Sequence, residues 1–64
     1  MIIKEIGKYK LTQDLHIRGV LSIGTFPNGT ILNITQIDKI GRKVIGPEFQ
    51  DWTSWDLPVR KLGS

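Results

Sequence analysis

The sequence predicts a small all-β domain, a mostly antiparallel barrel of five short strands with at most one turn of 3₁₀-helix. The first observation is a pair of apolar runs, residues 30–37 and 43–46, separated by a glycine-containing turn at residues 38–42. Two such runs joined by a short loop are typical of a β-hairpin. The second observation is an alternation of apolar and polar side chains between residues 9 and 18. Because an isolated hairpin is marginally stable in water, we expect the flanking segments to wrap it into a closed or nearly closed sheet.

The size and composition indicate one domain with a small core. With 64 residues there is room for a single domain over residues 1–64, with its core at 8–62 and an N-terminal arm at 1–7. The chain has no cysteine, which excludes disulfides and thiolate metal sites. The net charge of +3 permits an anionic partner without requiring one. The start of the chain is too short and too charged for a signal peptide, and no run reaches membrane-spanning length. We therefore expect a cytoplasmic protein with no membrane partner, located in the host cytoplasm if a phage encodes it.

The first half of the chain is expected to form strand segments after the arm, with a break at residues 13 and 14. Three isoleucines make the arm apolar, which is typical of an edge strand or a loosely docked tail. Residues 9–12 and 15–18 alternate, so that His16 and Arg18 face away from the core. After a glycine that permits a bend or bulge, residues 20–23 are expected to continue the sheet.

The central hairpin contains a change of phase. Residues 24–29 form a turn-rich connection that leads into it. Leu32 and Ile34 share one face of the following strand, whereas Ile31 and Ile37 fall on the other face. Either a bulge re-phases this strand, or both of its faces are partly covered.

The positions of glycine and proline predict the remaining turns and strand ends. Gly29 and Gly41 stand in turns where we expect positive φ or a bulge. Pro47 ends the strand before it, because proline cannot donate a ladder hydrogen bond. Residues 50–56 suit a short strand plus one 3₁₀ turn, and residues 59–62 form the closing strand.

Two short motifs resemble those of bacterial SH3-type domains. Residues 9–18 read Tyr-Lys-Leu-Thr and then Leu-His-Ile-Arg around a short break, which is similar to the first-strand signature of that family. Residues 23–30 are similar to its Gly-Thr passage into the central hairpin. The resemblance covers residues 9–62 and implies an SH3-like barrel whose ligand groove borders the segment before the last strand. Compact barrels of this kind are also common among small phage and prophage proteins.

The residue inventory gives little support to catalysis or metal binding. His16 is the only histidine, and the sequence shows no nucleophile elbow or oxyanion loop beside it. Asp14 and His16 form an i, i+2 pair without a third ligand, and the glycines do not form a phosphate loop. We therefore expect no enzymatic activity, no catalytic residue, no metal and no cofactor.

An aromatic cluster in the least regular part of the chain is the first candidate site. It consists of Phe49, Trp52 and Trp55 together with Asp51. Tryptophan is enriched at binding hot spots because it offers a large rigid surface with one polar N–H. A simpler explanation is that the rings fill the core, since a chain this small needs its aromatic residues there. We predict that Trp55 is structural and that Trp52 is exposed.

Basic residues form the second candidate site. If the first and last strands pair, several cations come together on the barrel surface; the candidate set is Lys8, Lys10, Arg18, Arg60 and Lys61. A basic stripe neutralises the phosphates of a nucleic acid, and neighbouring aromatic rings can stack on its bases. A simpler explanation is that these charges protect edge strands from aggregation.

The leading hypothesis is a non-enzymatic module that binds another protein or peptide through the aromatic cluster. A small phage-type modulator of a host protein is one form of such a module. The alternative is a nucleic-acid-binding barrel that uses the basic residues. A third hypothesis, binding of cell-wall peptides, follows from the SH3-type resemblance alone. In each case we expect a monomer or a weak homodimer, because an exposed edge near the arm could pair two copies.

Overall fold

The structure is a computed structural model that describes residues 1–18, 23–49 and 52–63, with the side chains of residues 18 and 23 excepted. Within these residues all regular secondary structure is β-strand. There are eight short strands: β1 (Gly7–Leu11), β2 (Leu15–Arg18), β3 (Ile23–Phe26), β4 (Ile31–Ile34), β5 (Gln36–Asp38), β6 (Lys43–Ile45), β7 (Thr53–Ser54) and β8 (Val59–Lys61). The predicted all-β class is confirmed.

The strands form three antiparallel sheets with the orders β4-β1-β8, β2-β3 and β5-β6-β7. The prediction of five strands in one closed barrel differs from this arrangement, since no sheet in the described part of the chain closes on itself. The main reason is that one predicted run is divided between sheets, since residues 30–37 supply both β4 and β5. In addition, Gly24 to Phe26 was expected in a connection and belongs to β3. The predicted bend at Gly19 and the first residues of the predicted strand segment 20–23 lie outside the described residues.

The central hairpin is shorter than predicted. Its β5 and β6 strands pair as expected, with Ile37 opposite Val44. However, β4 leaves the hairpin and pairs with β1 instead. Thr35 separates β4 from β5, and its N–H donates to the Ile45 carbonyl at 2.8 Å. This break explains the change of phase, because Ile34 is buried in one sheet and Ile37 packs against the core from the next.

β1 is the central strand of its sheet, because it pairs with β4 on one side and with β8 on the other. The expected pairing of the first and last strands is therefore confirmed. The ladder continues past the strand ends, where the Leu11 N–H donates to the Thr30 carbonyl at 2.9 Å and the Thr12 N–H to the Pro58 carbonyl at 2.8 Å. Tyr9 and Leu11 on β1 are each 1% exposed, so one face of this strand forms the core.

The hydrophobic core draws on residues from both ends of the chain. It comprises Ile3, Tyr9, Leu11, Leu32, Ile34, Val44, Phe49, Leu57 and Val59. Burial raises the pKa of the Tyr9 hydroxyl, which donates to the Glu5 carbonyl at 2.7 Å. The side chains of Leu15 and Ile17 pack against this core from β2, as their alternation predicted.

The N-terminal arm contributes Ile3 to this core and is hydrogen-bonded to the chain before β8, so it is not a loosely docked tail. The Ile3 N–H donates to the Trp55 carbonyl at 2.8 Å, and Ile2 forms an antiparallel bridge with Asp56. The Ile3 side chain is fully buried. The arm therefore behaves as a short edge segment that covers the chain just before β8.

The two turn glycines have different roles. Gly29 has φ of 94°, a left-handed conformation that favours glycine, as predicted. At the β5–β6 turn the left-handed residue is Arg42, with φ of 56°, and not Gly41. Gly41 has a different role: its N–H donates to Asp38 Oδ1 at 2.8 Å, and a Cβ at Gly41 would lie 2.6 Å from Asp38 Oδ2, so that the carboxylate would have to shift.

Gly46 is the position where a side chain is least tolerable. It is buried, and a Cβ there would overlap the backbone carbonyl oxygen of Asn33 in β4. We expect Gly46→Ala to lower the free energy of unfolding by about 2–3 kcal/mol, because the two backbones would have to separate. Gly24→Ala is the matched control, since no atom lies within 4 Å of its added methyl group. Its effect should stay within about 0.5 kcal/mol. Urea unfolding measures both, and equal stability of the two variants would contradict this close packing.

Candidate functional site

The outer face of the β4-β1-β8 sheet brings basic residues together. Directly paired residues of antiparallel strands share a face, and side chains alternate along each strand. Because Tyr9 and Leu11 point into the core, Lys8 and Lys10 point away from it. The Leu62 N–H donates to the Lys8 carbonyl at 2.9 Å, which extends the face past the end of β8. Two rows of three residues result, Ile31–Lys10–Arg60 and Asn33–Lys8–Leu62, and we call them the basic face.

The charges on the basic face are close together. Lys10 lies opposite Arg60, a register that places the two Cβ atoms about 5 Å apart. Lys8 follows about 7 Å along β1. None of the three cations forms an ion pair with a carboxylate among the described residues. Lys10 is half-buried, and its Cε is 4.0 Å from the position of a Cβ on Gly29, so its side chain runs alongside that turn.

The structure separates Lys61 from the other predicted cations. Lys61 lies opposite Tyr9 and therefore belongs to the core-facing side of the sheet, at its exposed rim. Its ammonium group forms an ion pair with the carboxylate of Glu5. Arg18 lies in β2, and its side chain is outside the described residues. Of the five predicted basic residues, the structure thus brings Lys8, Lys10 and Arg60 together.

Glu48 covers the free edge of β4 and limits the basic face on that side. Its Oε1 accepts hydrogen bonds from the Asn33 backbone N–H at 2.9 Å and from Asn33 Nδ2 at 2.8 Å. Its Oε2 is buried and has no hydrogen-bond partner among the described residues. This contact could not be predicted from the sequence, because nothing local to Glu48 relates it to a strand 15 residues earlier.

The two tryptophans differ in solvent exposure, in the order that the sequence predicts. Trp55 is half-buried and packs against the core, and the guanidinium carbon of Arg42 lies 5.8 Å from the centre of its ring. That distance is within the range of a cation–π contact. Trp52 is the more exposed of the two, at 37%. Burial in the structure therefore agrees with Trp55 as the structural ring.

Phe49 does not form an accessible surface with Trp52. Phe49 is only 4% exposed and makes an edge-to-face contact with Phe26, with ring centroids 6.0 Å apart. The structure thus places Phe49 in the core, and not on the predicted binding surface, because a small core needs its ring. Asp51 lies outside the described residues.

The tip of the β5–β6 hairpin exposes an apolar residue that the sequence analysis did not single out. Ile40 is 98% exposed. The turn around it is held by the Asp38–Gly41 hydrogen bond and by the contact of Arg42 with Trp55. The available signal was the presence of one isoleucine within a turn that is otherwise charged or glycine.

The acid–base and metal candidates remain scattered over the described part of the chain. The Nδ1 atom of His16 lies 2.9 Å from Thr25 Oγ1 across β2 and β3, on an exposed face. Asp14 accepts a hydrogen bond from the Asn28 N–H at 2.8 Å and so holds a turn. Among the described residues, no group of three or more His, Cys, Asp or Glu side chains could hold a metal ion. The described part of the chain also contains no helix that is long and apolar enough to cross a membrane.

No family model matches the chain, and searches of the curated proteins and of the solved structures find no match either. The resemblance to SH3-type domains therefore stays a prediction.

The different environments of the tryptophans predict different effects on stability. Trp55→Ala should lower the free energy of unfolding by about 2–3 kcal/mol, somewhat less than for a fully buried ring. Trp52→Ala should change it by less than about 1 kcal/mol. Urea unfolding of each variant, followed by the fluorescence of the remaining tryptophan, measures this difference. A larger loss in Trp52→Ala than in Trp55→Ala would contradict these roles.

Proposed function

We propose that the protein is a non-enzymatic binding module whose basic face binds nucleic acid. The observation that carries this proposal is the register of β1 and β8, which sets Lys10 opposite Arg60 on an exposed face. Like charges directly opposite each other are destabilising in a sheet. A phosphate group placed between them removes this repulsion, and its neutralisation releases condensed counterions.

Protection of an edge strand explains only part of this arrangement. Arg60 lies on β8, which is an edge of its sheet, and a charge there deters pairing with another chain. Lys8 and Lys10 lie on β1, which is flanked by strands on both sides and has no free edge. An anionic partner accounts for all three cations. The net charge of +3 also supports an anionic partner, because it favours the approach of a polyanion.

Adjacent residues on β8 provide a matched test. Arg60→Gln and Lys61→Gln remove the same charge from neighbouring positions, but only Arg60 lies on the basic face. We expect Arg60→Gln to weaken the binding of a labelled single-stranded oligonucleotide by about tenfold, as for the loss of one charge-assisted contact. Lys10→Gln should have a similar effect, and Lys61→Gln a much smaller one. Fluorescence anisotropy at low ionic strength measures the dissociation constants.

Two outcomes of this titration would contradict the proposal. Absence of binding by the wild-type protein at low salt would remove the nucleic-acid function altogether. Equal weakening by Arg60→Gln and Lys61→Gln would show that only net charge matters and that the basic face is not the site. Circular dichroism of each variant confirms that the fold is retained.

A second candidate function is protein binding through Trp52. It is supported by the exposure of this ring, since tryptophan is enriched at protein-binding hot spots. Phe49 does not contribute to this candidate surface.

A partner that uses Trp52 should lose affinity when the ring is removed. Proteins captured from cells by the wild-type domain can be identified, purified and titrated by calorimetry. We expect Trp52→Ala to weaken such a complex by about 2 kcal/mol, or roughly thirtyfold. Ile6→Ala is the matched control, because Ile6 is another exposed apolar residue, at 62%, in the N-terminal arm. Equal affinities of wild type and Trp52→Ala for every purified partner would rule out this ring as the site.

A further inference from the structure

The basic face carries no aromatic ring. The chain has five aromatic residues, and each is described at another place. Tyr9 and Phe49 are buried, and Phe26 and Trp55 pack against the core. Trp52 lies next to β7, in a different sheet. Aromatic side chains are the usual platforms on which nucleic-acid bases stack, so aromatic stacking is absent from this face.

The side chain on this face that could read an adenine edge is already engaged. Asn33 is the one amide on the basic face, and its Nδ2 donates to Glu48 Oε1 at 2.8 Å. Bidentate recognition of adenine requires both the amide nitrogen and the amide oxygen. Glu48 therefore competes with a base for this side chain.

The shape of the face also favours contact with the backbone of a nucleic acid. The major groove of a duplex admits an α-helix or a two-stranded ribbon. The basic face spans three strands, β4, β1 and β8, with its cations at the centre and at one edge. Contact with the phosphates does not require a face of this kind to enter the groove.

We infer that the basic face binds the phosphodiester backbone of nucleic acids and contacts no base, so that binding is independent of sequence. This inference rests on the proposed nucleic-acid function and specifies its ligand chemistry. Lys8, Lys10 and Arg60 are the contacting residues. Phosphate contacts fix position but carry no sequence information directly.

The number of cations sets the salt dependence. Three phosphate contacts predict that log K falls against log salt with a slope of about −2 for single strands and about −3 for duplex DNA. Between about 50 and 200 mM salt, the affinity should therefore fall by about 20- to 40-fold. Lys10→Gln should reduce the magnitude of the slope by about one, whereas Lys61→Gln should leave it unchanged.

An abasic oligonucleotide provides the decisive probe, because it keeps the phosphates and removes every base. We compare it with oligothymidylate, oligoadenylate and a mixed sequence of the same length by fluorescence anisotropy at several salt concentrations. The four dissociation constants should agree within about threefold, since only phosphates are contacted. A preference of tenfold or more for any base-containing probe over the abasic one would overturn this inference while leaving nucleic-acid binding intact. Failure of all four probes to bind would instead overturn the proposed function.

Discussion

The pairing of β1 on both of its edges is the constraint on which the rest of the structure depends. A strand held between β4 and β8 must alternate strictly, because one of its faces is the core and the other is solvent. Tyr9 and Leu11 fill the core from this strand, and Lys8 and Lys10 are thereby directed to the outer surface. The same register that builds the core thus creates the basic face. A shift of one residue would bury the lysines and expose Tyr9, which makes the register strongly specified.

The small size of the chain explains which residues remain for binding. A domain of 64 residues buries a limited fraction of its surface and uses most of its large apolar side chains for stability. Phe49 and Tyr9 are therefore buried, and Trp55 is partly covered by the core and by Arg42. Trp52 is the aromatic ring with the greatest exposure to a partner. The charges on the sheet surface therefore outnumber the exposed aromatic rings as groups that a partner could contact.

The segment after β6 shows how close backbone packing directs the topology. Gly46 approaches the carbonyl of Asn33 closely, and Glu48 hydrogen-bonds the free edge of β4. Together they bring the end of the hairpin against β4 while β4 itself pairs with β1. The break at Thr35 lets one run of β-branched residues serve two sheets, because each half then turns its apolar side chains towards the same core. One contiguous core results from three sheets.

Sequence by itself determined the all-β class, the β5–β6 hairpin, the alternation of the first strands and the types of residue available for binding. These properties are local, because side-chain alternation and turn preference depend on neighbouring residues. Only the tertiary structure decided that Arg60 faces outward with Lys10 whereas Lys61 faces Glu5, and that Phe49 is buried. It also decided that Arg42, and not Gly41, adopts the left-handed conformation. These outcomes depend on which distant strands pair and in which register, and the burial of shared apolar surface selects that pairing across the whole chain.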